Sequence, residues 1–481
     1  MKLSLPSSLV KNSISSHSWL GLLTGALMYL ICVSGTIVVF TKYLERWEQP
    51  DVAEFQSMSA ETAGLVYNQL HEIAPDVGGD ILLMLPRPDE PRASLFSSEG
   101  AWYLNEDGSR GDDLSHQWTT MLADLHVYLH LPSSFGMVVV SILGAMLCGL
   151  IISGLFSHPN IIRDAFSLRW GSSRRLQQTD LHNRLSVWGA PFHLVIAVTG
   201  AYFGIAVLMN MLFASALFEG NAGRVVDEVY GAAPALQQEV AVMDLEAALN
   251  ELAIVAPDAK PFYVTIEEAN TPQQYMIIGA EHEGRLIYAE QYRFDHAGQY
   301  LGKAGYTDGS VGRQAIFSVF RLHFGEFGGL PILFLYGVFG LALSVVCVSG
   351  INIWLARRKT RDALNNLWIG LVWGTPVAIA GSALLVVLTG LAATTTLWLV
   401  LVACIVLSQS VNNDLRGTSL LQLLAGILLL MLVLVHTLIY QHMALRGAAL
   451  IVNLFLASGG AIMLWPGLRS GIFSRVVTPP A

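Results

Sequence analysis

One stretch of this chain is written twice, and that repetition constrains the fold more than any local feature. His17 to Gly35 reads HSWLGLLTGALMYLICVSG, and His182 to Gly200 reads HNRLSVWGAPFHLVIAVTG. In each copy a histidine opens an apolar run of helix length, and Val-Ser-Gly or Val-Thr-Gly closes it at the same distance. A second unit repeats alongside. Leu125-His126 precedes the apolar run ending at Ser153-Gly154, and Leu322-His323 precedes the run ending at Ser349-Gly350, with one residue gained or lost between copies. Self-similarity of this kind marks an architecture assembled from related parts. The pattern predicts a duplicated two-helix module with a histidine at the outset of each helix.

The apolar runs define the solvent. Of 481 residues 53% are hydrophobic and 13% charged, with mean hydropathy +0.52; an ordinary soluble domain carries about 25% charged residues. Lipid offers no partners to backbone N–H and C=O groups, so apolar runs of about 18 residues or more read as membrane-spanning helices. Spans are expected over 17–41, 134–156, 186–214, 330–355, 366–389, 391–409, 419–438 and 447–466. The first run, from Trp19 to Phe40, is too long for a signal peptide and no small-residue cleavage site follows it, so it reads as an uncleaved span. Cys32, Cys148, Cys347 and Cys404 all fall inside apolar runs and lack metal-ligand spacing, which points to neither disulfides nor zinc.

Lysine and arginine set the orientation. With the N-terminus inside, the short inner segments hold 14 of the 27 basic residues, including Arg174, Arg175, Arg357, Arg358 and Lys359, against four acids, Asp164, Asp180, Asp362 and Asp414. The outer segments are then strongly acidic. This balance predicts a multi-pass membrane protein with both termini cytoplasmic, surrounded by lipid and without a nucleic-acid partner.

The expected domains are an N-terminus and first span (1–42), a first outer lobe (43–130), the second and third spans with their loop (131–215), a second outer lobe (216–325), the fourth span (326–360) and a four-span extension (361–481). Both lobes read as α+β. Strand-like alternation covers Ile81–Leu85, Ala93–Phe96 and Ala101–Leu104 in the first, and Phe262–Ile266, Gln274–Ile278 and Arg285–Tyr292 in the second. A helix is expected from Asp244, and turns at Asn105–Gly108 and Asp295–Gly298. The tryptophans Trp19, Trp47, Trp170 and Trp354 fit interfacial belts. The glycine pairs of the spans fit close helix packing.

Odd spans run outward and even spans inward, so the halves are parallel repeats related by an axis along the membrane normal. That symmetry sets His17 against His182 at the inner level and His126 against His323 at the outer. Two neutral imidazoles from facing helices are the axial set that six-coordinate haem iron accepts. Two such pairs predict two b-type haems, held non-covalently since no Cys-x-x-Cys-His motif exists, in a four-helix bundle across a hydrocarbon core of about 30 Å. A single histidine at a membrane boundary is as readily a polar anchor; four at matched positions are not explained that way. Three further histidines stay open as alternative ligands. His130 follows His126 by one helical turn, His193 lies three turns beyond His182, and His158 follows the second span. His296, His436 and His442 read as surface or interfacial.

At these residues the sequence resembles the PepSY-associated transmembrane family, iron-regulated inner-membrane proteins that include siderophore-iron reductases. The likeness rests on His17-Ser18-Trp19-Leu20-Gly21 with Val33-Ser34-Gly35, and on Asp180-Leu181-His182 with Pro191-Phe192 and Val198-Thr199-Gly200. It extends to Leu125-His126 through Leu131-Pro132, to Leu322-His323-Phe324-Gly325 with Gly328-Gly329, and to Ser349-Gly350 with Trp354 and Arg357-Arg358. The resemblance implies PepSY-like periplasmic lobes and a haem-dependent oxidoreductase that reduces a ferric siderophore at the periplasmic face. No nucleotide or flavin fingerprint is present, so the electron donor, a quinol or a cytoplasmic reductase, must be separate. Two other readings remain: a siderophore or metal transporter, which calls for broken helices and midplane polar groups, and a regulatory or binding module of the PepSY type, which leaves the matched histidines idle.

Overall fold

Apolar runs become helices here because only intrahelical bonding satisfies their backbone in lipid. The computed structural model describes residues 6–74, 79–157, 160, 165, 166, 169 and 173–469, with backbone alone at 174 and 466–469. His158 and Trp170 lie outside the described residues. In chain order the elements of the first half are α1 (Ser7–Val38), α2 (Thr41–Glu48), α3 (Ala60–Ile73), β1 (Gly79–Met84), β2 (Ala93–Ser97), β3 (Gly100–Leu104), β4 (Arg110–Asp113), α4 (Gln117–Tyr128) and α5 (Ser133–Ser157). The second half runs α6 (Arg174–Leu217), α7 (Ala222–Tyr230), α8 (Leu245–Val255), β5 (Ala259–Ala269), β6 (Tyr275–His282), β7 (Glu290–Phe294), β8 (Tyr300–Lys303), α9 (Val311–Phe324) and α10 (Gly329–Leu355). The extension is α11 (Ala363–Thr389), α12 (Ala393–Val411), α13 (Asp414–Tyr440) and α14 (Gly447–Arg469). Among the described residues eight helices are long and apolar enough to cross a membrane: α1, α5, α6 and α10 to α14.

The chain divides into two compact units. One comprises residues 1–50, 116–204 and 333–481; the other comprises 51–115 and 205–332. In the first, α1, α5, α6 and α10 close a ring. α5 meets α6 where Gly144 comes so near that an added Cβ would lie 2.9 Å from the Ala201 nitrogen, and Gly204 N donates to Ser141 Oγ at 2.8 Å. α10 meets α1 where a Cβ on Gly340 would fall 2.6 Å from Thr36 Oγ1. Small residues at these crossings let backbones approach where no hydrophobic drive separates protein from lipid.

The extension packs on this ring. Pro376 interrupts α11, and a proline inside a helix leaves the carbonyl four residues earlier without its donor. That carbonyl, Val372 O, accepts instead from the Tyr29 hydroxyl of α1 at 2.7 Å. Asp362 opens α11 with a reciprocal capping box through Asn365.

In the second unit the structure corrects the expectation of two lobes. The strands form one eight-stranded antiparallel sheet in the order β4-β3-β2-β1-β5-β6-β7-β8, joined at β1–β5 with Leu82 opposite Thr265. Two separate four-stranded lobes would each have two edge strands, and pairing β1 with β5 removes one edge from each, leaving β4 and β8 at the ends. Val66 and Leu70 of α3 and Ala248 and Leu252 of α8 share one core with Ile81, Leu95, Val264, Ile266, Ile278 and Phe294. Asp244 caps α8, accepting from Ala247 N at 2.9 Å. The strand expected from Arg285 begins only at Glu290; just before it, Tyr288 N bonds to Phe317 O of α9 rather than to a strand.

Other boundaries shift for physical reasons. The polar residues before His17 and His182 are helical, so neither histidine opens its helix: α1 starts at Ser7 and α6 at Arg174. α2 and α4, expected within the first lobe, belong to the membrane unit, because Trp47, Trp118 and Leu122 are buried in its core. Trp47, read as interfacial, is wholly buried, and so is His436.

Candidate functional site: paired imidazoles in the helix ring

His17 of α1 and His182 of α6 face each other across the ring. Their ring centres are 6.1 Å apart and their planes cross at 79°. Each is fixed from behind by the neighbouring helix of its own repeat. His17 Nδ1 lies 3.0 Å from Leu150 O of α5, with Ser153 Oγ at 3.4 Å. His182 Nδ1 lies 3.1 Å from Val346 O of α10 and 3.1 Å from Ser349 Oγ. A carbonyl oxygen only accepts, so Nδ1 carries the proton in both rings and the lone pair is on Nε2. That is the tautomer of a histidine that ligates through Nε2 while its other nitrogen is held by a backbone carbonyl.

The glycine after each serine makes room for the ring. A Cβ on Gly154 would come within 3.1 Å of His17 Cε1, and one on Gly350 within 3.3 Å of His182 Cε1. His126 of α4 repeats the arrangement on α1. Its Nδ1 lies 3.0 Å from Ile31 O, and a Cβ on Gly35 would lie 2.6 Å from its Cε1. In all three seats the accepting carbonyl stands four residues before the glycine. The sequence displays these Ser-Gly endings as repeats; what it does not display is that each is the seat of a histidine from another helix.

The remaining candidates fall differently. His323 sits at the end of α9, half-buried beside Phe324, and belongs to the sheet-bearing unit. His130 is not on the face of His126, since Leu129 and His130 both have positive φ and the helix ends before them. Its Nε2–H donates to Met121 O at 2.8 Å and its Nδ1 accepts from Trp398 Nε1 at 2.9 Å. With both nitrogens engaged, His130 is a joint rather than a ligand. His193 is buried and of the opposite tautomer: its Nε2–H donates to Phe339 O at 3.2 Å. The structure therefore brings His17 together with His182, not with His193.

Among the described residues no cluster of three or more His, Cys, Asp or Glu side chains is placed to hold a bare metal ion. Two opposed imidazoles suit an ion whose other positions are already filled, as in a porphyrin.

The family model of the PepSY-associated TM region matches residues 14–357, which takes in all four histidine-bearing repeats. The chain belongs to that family. This PepSY-associated TM protein is also similar to the uncharacterized protein PA4219 of Pseudomonas aeruginosa, at 27% identity over 281 residues, covering 56% of this chain and 71% of the relative. The family match ends at 357, just before α11 begins, so the four extension helices of this PepSY-associated TM protein lie beyond it.

Proposed function

We propose that the protein is a haem-dependent membrane oxidoreductase that carries electrons outward across the bacterial inner membrane and reduces a ferric siderophore at the periplasmic face. The observation that supports this reading most is the His17–His182 pair, with ring centres 6.1 Å apart, both Nδ1 atoms tied to repeat-related carbonyls and the lone pair left on each Nε2. His17 and His182 would hold an inner haem b. The outer one would take His126. Haem iron supplies the one-electron chemistry that protein side chains lack. The chain's own part is to orient the imidazoles, keep water out of the ring and hold two ligand levels in register. The donor, a quinol or a cytoplasmic reductase, is a separate molecule, and chelators built for Fe(III) release Fe(II) readily.

The test is optical. Detergent-purified protein should show a Soret band and, after dithionite, sharp α and β bands; the double variant His17→Ala, His182→Ala should lose about half of the bound haem and all reduction of a ferric siderophore. A colourless wild-type protein, or a double variant with full absorbance and activity, would overturn the proposal.

A further inference from the structure

α4 carries His126, yet little in its own sequence keeps it in place. It has 12 residues and no capping side chain at its N-terminus, and isolated helices of that length are marginal. Its leading amides are capped instead by Glu48, the last residue of α2, which accepts from Trp118 N at 2.9 Å, from Thr119 N at 2.8 Å and from the Thr119 hydroxyl. Its far end runs into two residues of positive φ, Leu129 and His130, neither of them glycine. Such conformations persist only where the surroundings fix them.

Those surroundings come from the extension. Trp398 of α12 donates to His130 Nδ1 at 2.9 Å, and Trp118 of α4 donates from Nε1 to Ile379 O of α11 at 3.1 Å. The α2 cap is held in turn by α13 and α14. His436 Nε2–H donates to Trp47 O at 2.8 Å, with the two rings stacked at 4.6 Å. Trp47 Nε1 donates to Asn453 Oδ1 at 2.9 Å, and Asn453 Nδ2 donates to His436 Nδ1 at 3.2 Å and to Ala444 O at 3.0 Å. The Tyr440 hydroxyl donates to Glu48 O at 3.1 Å. Trp47, Glu48, Trp118, Thr119, His436 and Asn453 are all buried. A buried polar chain in which every member finds a partner specifies a single arrangement.

We propose that helices α11 to α14 are a brace for the outer histidine: Trp398, His436 and Asn453, together with the Glu48 cap of α2 that the last two hold, are positioning residues that fix α4 at both ends and so set where the His126 imidazole points. The brace itself is independent of any bound group; its effect on a bound group rests on the proposed haem reading.

Two readouts on the purified full-length protein separate the two claims. The first is amide hydrogen exchange over residues 117–130. Trp398→Phe and His436→Ala should each speed it by tenfold or more, with exchange in α5 and α10 unchanged, whereas Gln409→Ala, at the other end of the extension, should not. The second is redox titration. The midpoint lost in His126→Ala should shift in Trp398→Phe and Glu48→Gln, while the midpoint lost in His17→Ala stays where it is. Unchanged exchange in α4 overturns the brace, and so does an equal shift of both midpoints, which would mean general loosening. A haem-free wild type would sink the ligand reading, and the exchange measurement would still decide the brace.

Discussion

The three histidine seats differ in how tightly glycine is required, and that difference is measurable. An alanine at Gly35 would press within 2.6 Å of the His126 ring, at Gly154 within 3.1 Å of His17, and at Gly350 within 3.3 Å of His182. Close packing forces a ring to move rather than tolerate the first of these. Haem content per protein should therefore fall most in Gly35→Ala, less in Gly154→Ala and least in Gly350→Ala, as read by pyridine haemochrome absorbance. The reverse order would show that the glycines are helix-packing sites and not imidazole seats. A second residue-scale case lies in the sheet. Burial, and Asp80 beside it, push the Glu267 carboxyl up to about 7. In the unfolded chain it ionises near 4.3, about the ordinary value, so between those pH values the folded state holds the extra proton. Its contribution to stability is full below about 4.3 and is lost as pH rises through 7. Glu267→Gln should thus melt with the wild type at pH 4 and above it at pH 8 by differential scanning fluorimetry; an equal difference at both would refute the shift. The repeat showed that His17 faces His182, but the groups that fix each ring, and the Asp80 beside Glu267, were invisible in the sequence. Histidine spacing marks candidates, but tautomer and seat depend on carbonyls such as Leu150 O and Val346 O, which carry no residue signature.

At the scale of elements the sequence was most legible where lipid dictates the answer. The spans expected at 134–156 and 330–355 lie within α5 and α10 almost to the residue, because a run of apolar side chains has no other solution in hydrocarbon. It was least legible where tertiary contacts override local preference. α4 ends at Leu129 and His130 without a glycine, held by Trp398 far along the chain, so no local rule marks that break. The union of both lobes in one sheet was equally hidden, since β1 and β5 read as ordinary strands and their partner choice is non-local. That union has a direct check. Residues opposite each other on adjacent strands have Cβ atoms about 5 Å apart. A Leu82→Cys, Thr265→Cys protein should therefore be bridged by a short bifunctional thiol reagent and yield a cross-linked peptide on mass spectrometry. Leu82→Cys with Val264→Cys, which places the thiols on opposite faces, should give single adducts only. Single adducts from both pairs would return the protein to two separate lobes.

For the whole molecule, the proposed electron path needs one level of histidines toward the cytoplasm, and the charges predict which. Of the basic residues, Arg357, Arg358 and Lys359 follow α10 directly, whereas the turn at Asn105–Gly108 lies in a segment rich in acids. Positive residues in short loops stay on the cytoplasmic side. If so, His17 and His182 form the inner level, and a donor must deliver electrons there. On a background in which Cys32, Cys148, Cys347 and Cys404 are replaced by serine, Asp107→Cys should react with a membrane-impermeant maleimide in intact spheroplasts. Lys359→Cys should react only after the membrane is breached. The opposite labelling would invert the protein, place the His17–His182 pair at the outer face, and require the ferric acceptor to be sought beside the arginines instead of the acidic segments. The labelling thus decides which level of histidines meets the donor and which the acceptor, because a parallel repeat places one level towards each face.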